Sequence, residues 1–140
     1  MNITATLTDN ITEILNKVLD FTKQRHNILT DNIVNVNLDD FKPKDLDSPG
    51  FADTMSLAVY EHARNDRLLL RDNENIKFIA GGFMETTPVI DENAESLLKN
   101  NKEIYLKMQI NKLSENLLNR KVAEQLLKQK QAKNSMALNF

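Results

Sequence analysis

The sequence is short of the residues on which most catalytic and metal sites depend. Its 140 residues include no cysteine and no tryptophan, and only two histidines, His26 and His62. The absence of cysteine excludes disulfide scaffolds, thiolate metal sites and cysteine nucleophiles. A histidine-based zinc or catalytic site would need nearly the whole supply of histidine. We therefore predict a protein that is not an enzyme, with no catalytic, cofactor-binding or metal site.

Long apolar runs and a signal peptide are also missing. No segment approaches the roughly 18 apolar residues that a membrane-spanning helix needs. The first ten residues lack a basic segment followed by an apolar core, so no cleaved signal peptide is expected. Taken alone, these features predict a cytosolic protein, although export by a route that reads no cleaved signal would leave the same pattern.

Charge is unevenly distributed along the chain. The formal net charge is −2, which gives no reason to expect nucleic acid or an anionic membrane as a partner. Since no active site is expected, no small-molecule substrate is expected either. Residues 99–140 contain eight Lys and one Arg against three Glu, a charge of +6, so the first 98 residues carry −8. This asymmetry is compatible with head-to-tail contacts between copies and also with solvated helix faces.

Residues 1–37 are predicted to form an N-terminal coiled-coil helix. Asn10 and Glu13 have the spacing of a capping box near its start. Apolar residues then recur at alternating spacings of four and three, typical of a coiled coil. The first row is Leu7, Ile11, Ile14, Val18, Phe21 and Ile28, and an adjacent row contains Leu15, Leu19 and Leu29. Together the rows are too wide for a single partner helix.

Residues 93–140 are predicted to form one long C-terminal helix, and at 1.5 Å per residue its part from about 93 to 136 would span roughly 60 Å. It also has two apolar faces, which include Met108, Leu118, Val122 and Leu126 on one side and Leu106, Ile110, Leu113 and Leu117 on another. Two interpretations remain open. The two helices either close into a small bundle with the middle of the chain, or belong to a subunit whose faces are completed by other chains.

Residues 38–92 contain all three prolines and all three glycines and are predicted to be an irregular insert, flexible or ordered only on assembly. We expect turns at residues 39–40 and 48–50, a short helix over 54–64, and short strands over 67–71 and 77–80. Gly81 and Gly82 lack the pattern of a phosphate-binding loop. The acidic residues between 39 and 47 lack the spacing of a calcium-binding loop.

One stretch is more specific than composition explains. Residues 25–37 and 41–47 resemble the N-terminal signature of the bacterial flagellar axial proteins. The matching positions are Leu29, Asn32, Ile33, Asn35, Lys42 and Asp45, with Phe41 in place of a tyrosine. Residues 38–40 depart from the family, which has Thr-Pro-Gly there. Near the other end, Met108, residues 112–117, Ala123 and residues 126–127 are similar to the closing helix of FlgB-type proximal rod proteins.

The resemblance implies a fold dominated by α-helices. The N- and C-terminal helices would pair as an antiparallel coiled-coil hairpin around the irregular middle region, and copies would assemble into a helical tube. The first N-terminal row would face Met108, Leu118, Val122 and Leu126. Neighbouring subunits would pack against Leu15, Leu19, Leu29, Leu106, Ile110, Leu113 and Leu117. Asn32 and Asn35 would serve the end of the helix and the turn after it.

The resemblance also implies a function: a structural subunit of the flagellar basal-body rod, transmitting torque from the MS ring to the distal rod and hook. Export would use the flagellar type III apparatus, and the chain would end in the periplasmic part of the basal body. Partners would be FliE, FlgC, the distal rod proteins, the MS ring and other copies. The alternatives are a FlgC-like rod protein, a small helical export chaperone or adaptor, and a free-standing helical-bundle regulator.

Overall fold

The structure, a computed structural model, describes the backbone of residues 9–138 and the side chains up to Met136. It contains four helices and is 68% helical, which confirms the predicted helix-dominated fold. In chain order the elements are α1 (Asn10–Val34), β1 (Lys44–Asp45), α2 (Ser48–Asn65), β2 (Ile76–Ile79), β3 (Phe83–Thr86), β4 (Val89–Ile90), α3 (Glu92–Asn100) and α4 (Lys102–Leu138).

Helix α1 begins one residue away from the predicted capping box. Asp9 is the N-cap, and its carboxylate accepts a hydrogen bond from the backbone N–H of Thr12 at 2.9 Å. Asn10 is the first helical residue, and its side-chain amide lies 3.2 Å from Nδ1 of His62. Aspartate and asparagine are about equally good N-cap residues, so residue type alone did not predict which of Asp9 and Asn10 caps α1. The predicted row member Leu7 lies outside the described residues.

Helices α1 and α4 lie side by side and antiparallel. Tyr105, near the start of α4, contacts Asn32 near the end of α1. Asn116 contacts Thr22 in the middle, and Lys130 contacts Asp9 at the start of α1. At 1.5 Å per residue, the 37 residues of α4 span about 55 Å, so this helix extends along the whole of α1.

The predicted continuous helix after residue 93 is wrong, because the segment breaks at Asn101. The backbone there is extended, with φ −157° and ψ 90°. The N–H of Asn101 closes α3 by donating to the carbonyl of Leu97, and its side chain accepts a hydrogen bond from the N–H of Ile104 at the start of α4. One asparagine therefore ends one helix and caps the next.

The middle region is more regular than the sequence predicts. Residues 48–50 form the first turn of α2 rather than a separate turn, and Asp47 caps that helix by accepting from the N–H of Gly50 at 2.9 Å. A Cβ on Gly50 would lie 2.2 Å from Oδ2 of Asp47, so this cap requires glycine. Asp66 ends the helix in the left-handed conformation. The predicted helix over 54–64 is confirmed and is longer at its N-terminal end.

Two small antiparallel pairs of strands complete the middle region. Strands β2 and β3 form a hairpin in register Ile79 with Phe83, and β1 pairs with β4 in register Lys44 with Ile90. The predicted strand over 77–80 is therefore confirmed within one residue, whereas residues 67–71 form no strand. Gly81 and Gly82, with φ of +91° and +87°, make the hairpin turn.

The apolar core lies between α1 and the middle region. Phe21 stacks on Phe51 with ring centroids 4.0 Å apart and rings within 6° of parallel. The buried cluster is Ile14, Phe21, Leu46, Phe51, Met55, Ala58, Ile76 and Met84, with Ile11, Val18 and Ile28 partly buried against it. The first row of α1 therefore packs mainly on α2 and the β2–β3 hairpin, and not on α4 as predicted.

The exposure of the α4 residues that were predicted to face the first row of α1 agrees with this packing. Leu118 is 62% exposed, Val122 49% and Leu126 46%, and Met108 is half-buried. Side chains this open cannot form a closed interface with α1 within one chain. The reason is rotational: α4 turns a different face towards α1, and that face is polar.

Candidate functional site: the helix junction and the outer faces of α4

The face of α4 that contacts α1 carries mostly polar side chains. Tyr105, Gln109, Asn116 and Ala123 are all buried, and Lys112 lies between them. Their spacings of four, three, four and seven are those of a heptad row. A search for apolar periodicity overlooks this row because most of its residues are polar. The signal that would have found it is polar residues at heptad spacing between two apolar faces of the helix. We call these five residues the inner row of α4.

Two side chains hold the junction, the set of contacts that joins α1, β1 and α4. The first is Asn32, a residue of the flagellar-like motif. Its side chain accepts from the N–H of Lys44 at 3.1 Å and donates to the Lys44 carbonyl at 2.7 Å. The same amide donates to Oε1 of Gln109 at 2.9 Å, and the hydroxyl of Tyr105 donates to the Asn32 carbonyl at 2.7 Å. Asn32 thus joins α1, β1 and α4. The prediction for Asn32 is the end of α1 and the turn after it; the side chain instead bonds the backbone of Lys44, beyond the turn, and Gln109 of α4.

Asp45, another motif residue, is the second centre. Its buried carboxylate accepts two hydrogen bonds from Arg25, at 2.9 and 3.0 Å, and one from Lys112 at 3.0 Å. Lys112 also donates to Asp91, the N-cap of α3, at 2.7 Å. One lysine of α4 therefore connects β1 with the start of α3. A carboxylate held by two cations in this way is stable only when all partners stay in place.

The ionisation of these groups reflects their surroundings. Burial by itself would raise the pKa of Asp45, but hydrogen bonds and charge from Arg25 and Lys112 outweigh it and hold the pKa below its usual value. Burial would lower the pKa of Lys112, but Asp91 and Asp45 raise it. Burial, with a contribution from the charge of Asp91, raises the pKa of Tyr105 to about 12. The network therefore favours charged Asp45 and Lys112 and a neutral Tyr105.

The remaining motif residues surround the turn after α1. Asn35 is the C-cap of α1, at the end of the helix where it was predicted, with φ −94°. The left-handed residue is Asp40, with φ +59°, which makes the turn without the family's glycine. Ile33 and Phe41 are half-buried and Lys42 is exposed.

The predicted intersubunit residues divide into two groups. On α1, Leu29 is fully buried within the chain, Leu15 is buried but borders an open groove, and Leu19 is half-buried. On α4 the set remains accessible: Ile110 and Leu117 are about half exposed, and Leu106 and Leu113 are half-buried. We call Leu106, Ile110, Leu113 and Leu117 the outer apolar row.

A groove of about 510 Å³ opens on the other side of α4, between α1, α2 and α4. Leu15, Val18 and Phe21 line it from α1, and its other apolar lining is Phe51, Ala52, Met55, Val122, Ala123 and Leu126. Val122 and Leu126, predicted to face the first row of α1, do share this space with Val18 and Phe21. The groove remains open, so they are not sealed against each other.

No known protein family, curated protein or solved structure matches this chain.

Within residues 9–138 the remaining chemistry is sparse. That part of the chain brings together no group of three or more histidine and acidic side chains suited to a metal ion. Asp45 and Asp47, from the acidic segment, are engaged with cations and with a helix N-terminus. His26 is exposed and His62 is half-buried. None of the described helices is both long enough and apolar enough to cross a membrane.

Proposed function

We propose that this chain is a structural subunit of the proximal rod of the bacterial flagellar basal body. The observation that supports the proposal best is the placement of the motif residues. Leu29 is fully buried, Asn32 links α1 to β1 and α4, and Asp45 links α1 to α4 through Arg25 and Lys112. A sequence signature shared by axial proteins would then be the part of the chain that sets how the terminal helices pair.

The accessible faces of α4 support the same proposal. The inner row contacts α1, while the outer apolar row and Val122 with Leu126 remain half exposed on either side of it. A long helix with two unfinished apolar faces gains burial only from other chains. We propose that α1 and α4 act as a coiled-coil hairpin whose outer faces pack into a helical tube, through contacts that do not close on themselves.

The partners follow from the proposal. Copies of the chain would contact each other and FlgC, FliE would join them to the MS ring, and distal rod proteins would continue the tube. The role is mechanical, with no catalytic step. Export through the flagellar type III apparatus would place the protein in the periplasmic part of the basal body without removal of a signal peptide.

The first experiment purifies intact basal bodies, strips their cytoplasmic parts and asks by mass spectrometry whether the chain remains with the rod. Retention is expected and establishes an axial subunit. Its loss, with the chain found only in the cytosolic fraction, overturns the proposal and favours the export-chaperone alternative.

A substitution tests the assembly surface in cells. Leu113→Asp places a charge in the outer apolar row, where burial against a neighbour leaves it without a partner. We expect it to abolish rod assembly and motility while export continues. Ser114→Asp is the matched control, since Ser114 is exposed and outside the row. Normal motility with Leu113→Asp, or equal loss with both variants, removes the row from the interface.

A further inference from the structure

We propose that residues 3–8 bind as a strand along residues 67–71 of the same copy of the chain, antiparallel to them. Residues 67–71 connect α2 to β2, and residues 3–8 lie outside the part of the chain that the structure describes. Three features support the pairing: the unpaired backbone of residues 67–71, the position of the start of α1, and the alternating sequence of residues 3–8.

Residues 67–71 form a straight stretch of chain without a hydrogen-bonded neighbour. The backbone makes no turn or bend between Arg67 and Asn73. Among the described residues, no hydrogen bond reaches a backbone N–H or C=O of residues 67–71. Each of these residues carries one donor and one acceptor, which bind either water or another segment of chain. A straight stretch with free backbone groups is a template to which a further strand adds.

The side chains of this stretch favour a strand over water as its neighbour. Leu68 is 40% exposed, and Leu69 and Leu70 are half-buried, with Leu70 packed against the apolar core. Three successive leucines are unusual in a connecting segment, because turns and loops are formed mainly by Gly, Pro and small polar residues. A neighbouring strand would remove part of this apolar surface from water.

The start of α1 lies beside the end of α2, from which residues 67–71 continue. The side-chain amide of Asn10 lies 3.2 Å from Nδ1 of His62, and the N–H of Asp66 at the end of α2 donates to the His62 carbonyl. Asp9 has an extended backbone, with φ −109° and ψ 176°. The chain therefore enters α1 in an extended conformation close to the point where residues 67–71 leave α2. A segment that arrives there runs antiparallel to one that departs alongside it.

The sequence of residues 3–8 has the pattern of a half-buried strand. Apolar and hydroxyl side chains alternate strictly, in the order Ile, Thr, Ala, Thr, Leu and Thr. Such alternation is typical of a strand with one buried face, and isoleucine and threonine favour strands. At about 3.3 Å per residue, residues 3–8 span about 20 Å and residues 67–71 about 17 Å. The lengths match, and pairing would place Leu7 opposite Leu68 with the apolar side chains of both segments on one face.

The pairing would close an open edge in the middle region. Exposed strand edges pair with other chains and lead to aggregation, so natural proteins cover them. The edges of the β2–β3 hairpin are already covered, by the side chain of Asp72 at β2 and by that of Gln24 of α1 at β3. Residues 3–8 would cover residues 67–71 in the same way.

The chain has no cysteine, so a disulfide scan can test the pairing in the full-length protein. Leu69→Cys provides a fixed thiol, and a second cysteine replaces each residue from 4 to 8 in turn. Opposed Cβ atoms of an antiparallel pair lie about 4.5–5.5 Å apart, and a shift of one residue turns the side chain to the other face. After mild oxidation in dilute solution we expect Thr6→Cys to form about ten times more intramolecular disulfide than its neighbour Ala5→Cys, a preference of about 1.4 kcal/mol.

A second fixed position controls for any effect of Leu69→Cys on folding. Arg71 is exposed, so Arg71→Cys should leave the fold intact. With this thiol the largest yield should move to Thr4→Cys, while high and low yields continue to alternate in the same phase. Circular dichroism of each variant measures whether the helices are retained.

Other patterns overturn the inference. A maximum at every third or fourth position would mean that helix α1 continues through these residues. Equal yields at all positions, or no disulfide with either fixed thiol, would mean that the segment does not pair with residues 67–71. Disulfides formed mainly between differently tagged copies, one with Leu69→Cys and one with Thr6→Cys, would mean that a neighbour supplies the strand.

Discussion

Helix α1 packs on the rest of the chain through two faces of opposite character. Towards α2 and the β2–β3 hairpin it presents Ile14 and Phe21, in a core made almost wholly of apolar side chains. Towards α4 it makes hydrogen bonds: the Thr22 carbonyl accepts from Asn116, and the side chain of Asn32 donates to Gln109. Arg25 pairs with Asp45 of β1, whose carboxylate also accepts from Lys112 of α4. The two interfaces share one helix, so differences in their behaviour come from their chemistry.

The difference shows how stability and register are divided. Apolar burial is strong but non-directional, so the core stabilises α1 against the middle region without selecting one exact alignment. Hydrogen bonds and buried charges contribute less net stability but are costly when mismatched. We infer that the inner row of α4 fixes the register of the hairpin, which a subunit needs before it presents its outer surfaces correctly.

The largest effect is expected in the apolar core. Phe21→Ala removes a ring stacked on Phe51 and leaves a cavity, so it should lower the free energy of unfolding by about 3–5 kcal/mol. Chemical denaturation followed by circular dichroism measures this. The conservative Phe21→Leu should cost less than half as much. A loss below about 1 kcal/mol for the alanine variant would show that the core is not where the structure places it.

The ion-pair network should follow. Asp45→Asn leaves Arg25 and Lys112 without their shared carboxylate and should cost about 3 kcal/mol. Asp53→Asn, at an exposed carboxylate on α2, is the matched control and should change the free energy of unfolding little.

A spin-label pair across α1 and α4 tests whether the register of the two helices depends on the network. The distance distribution should be broader in Asp45→Asn and unchanged in Phe21→Leu. Equal broadening in both would contradict the division.

The pH dependence of the free energy of unfolding should also distinguish the polar interface of α1 from its apolar interface. The pKa of Asp45 is lowered in the folded chain, so its contribution is complete above the ordinary carboxyl pKa of about 4 and is lost as pH falls through the lower folded value. The pKa of Lys112 is raised, so its contribution is complete below about 10.4 and is lost as pH rises through the folded value. Because Tyr105 reaches a pKa of about 12, stability should also decline above about 10, where only the unfolded tyrosine ionises.

Denaturant titrations between acid and alkaline pH measure these losses. Asp45→Asn should remove part of the acid-side loss while Phe21→Leu retains all of it. An acid-side loss of the same size in Asp45→Asn would show that other carboxylates carry it.

The smallest effect on the isolated chain is expected on the outside of α4. Leu118→Ser changes a side chain that is largely in solvent and should alter the free energy of unfolding by no more than about 0.5 kcal/mol. The same denaturation experiment measures it, and a cost above about 1.5 kcal/mol would mean that Leu118 is buried against α1 after all.

Local sequence patterns predicted where helices and strands form better than they predicted which of these elements pack together. The periodicity of the two ends gave both long helices, and the short helix and the strand over 77–80 were found in a region expected to be irregular. The break at Asn101 was missed because a single asparagine in a run of good helix formers is only a weak signal for a helix end. In the structure the break is stabilised by hydrogen bonds with which Asn101 ends α3 and caps α4. The polar inner row was missed because apolar periodicity says nothing about polar residues that find partners only after folding.

The sequence by itself determined which residues share a face, because helical geometry assigns faces at a fixed period of 3.6 residues. It also determined local chemistry at two boundaries: Asp47 with Gly50 begins α2, and Gly81 with Gly82 makes the turn between β2 and β3. Only the tertiary structure decided that α1 turns its first apolar row to the middle region and that α4 meets α1 with its polar inner row. That choice depends on contacts between residues more than seventy positions apart, such as Asn32 with Gln109, whose free energy no local pattern contains.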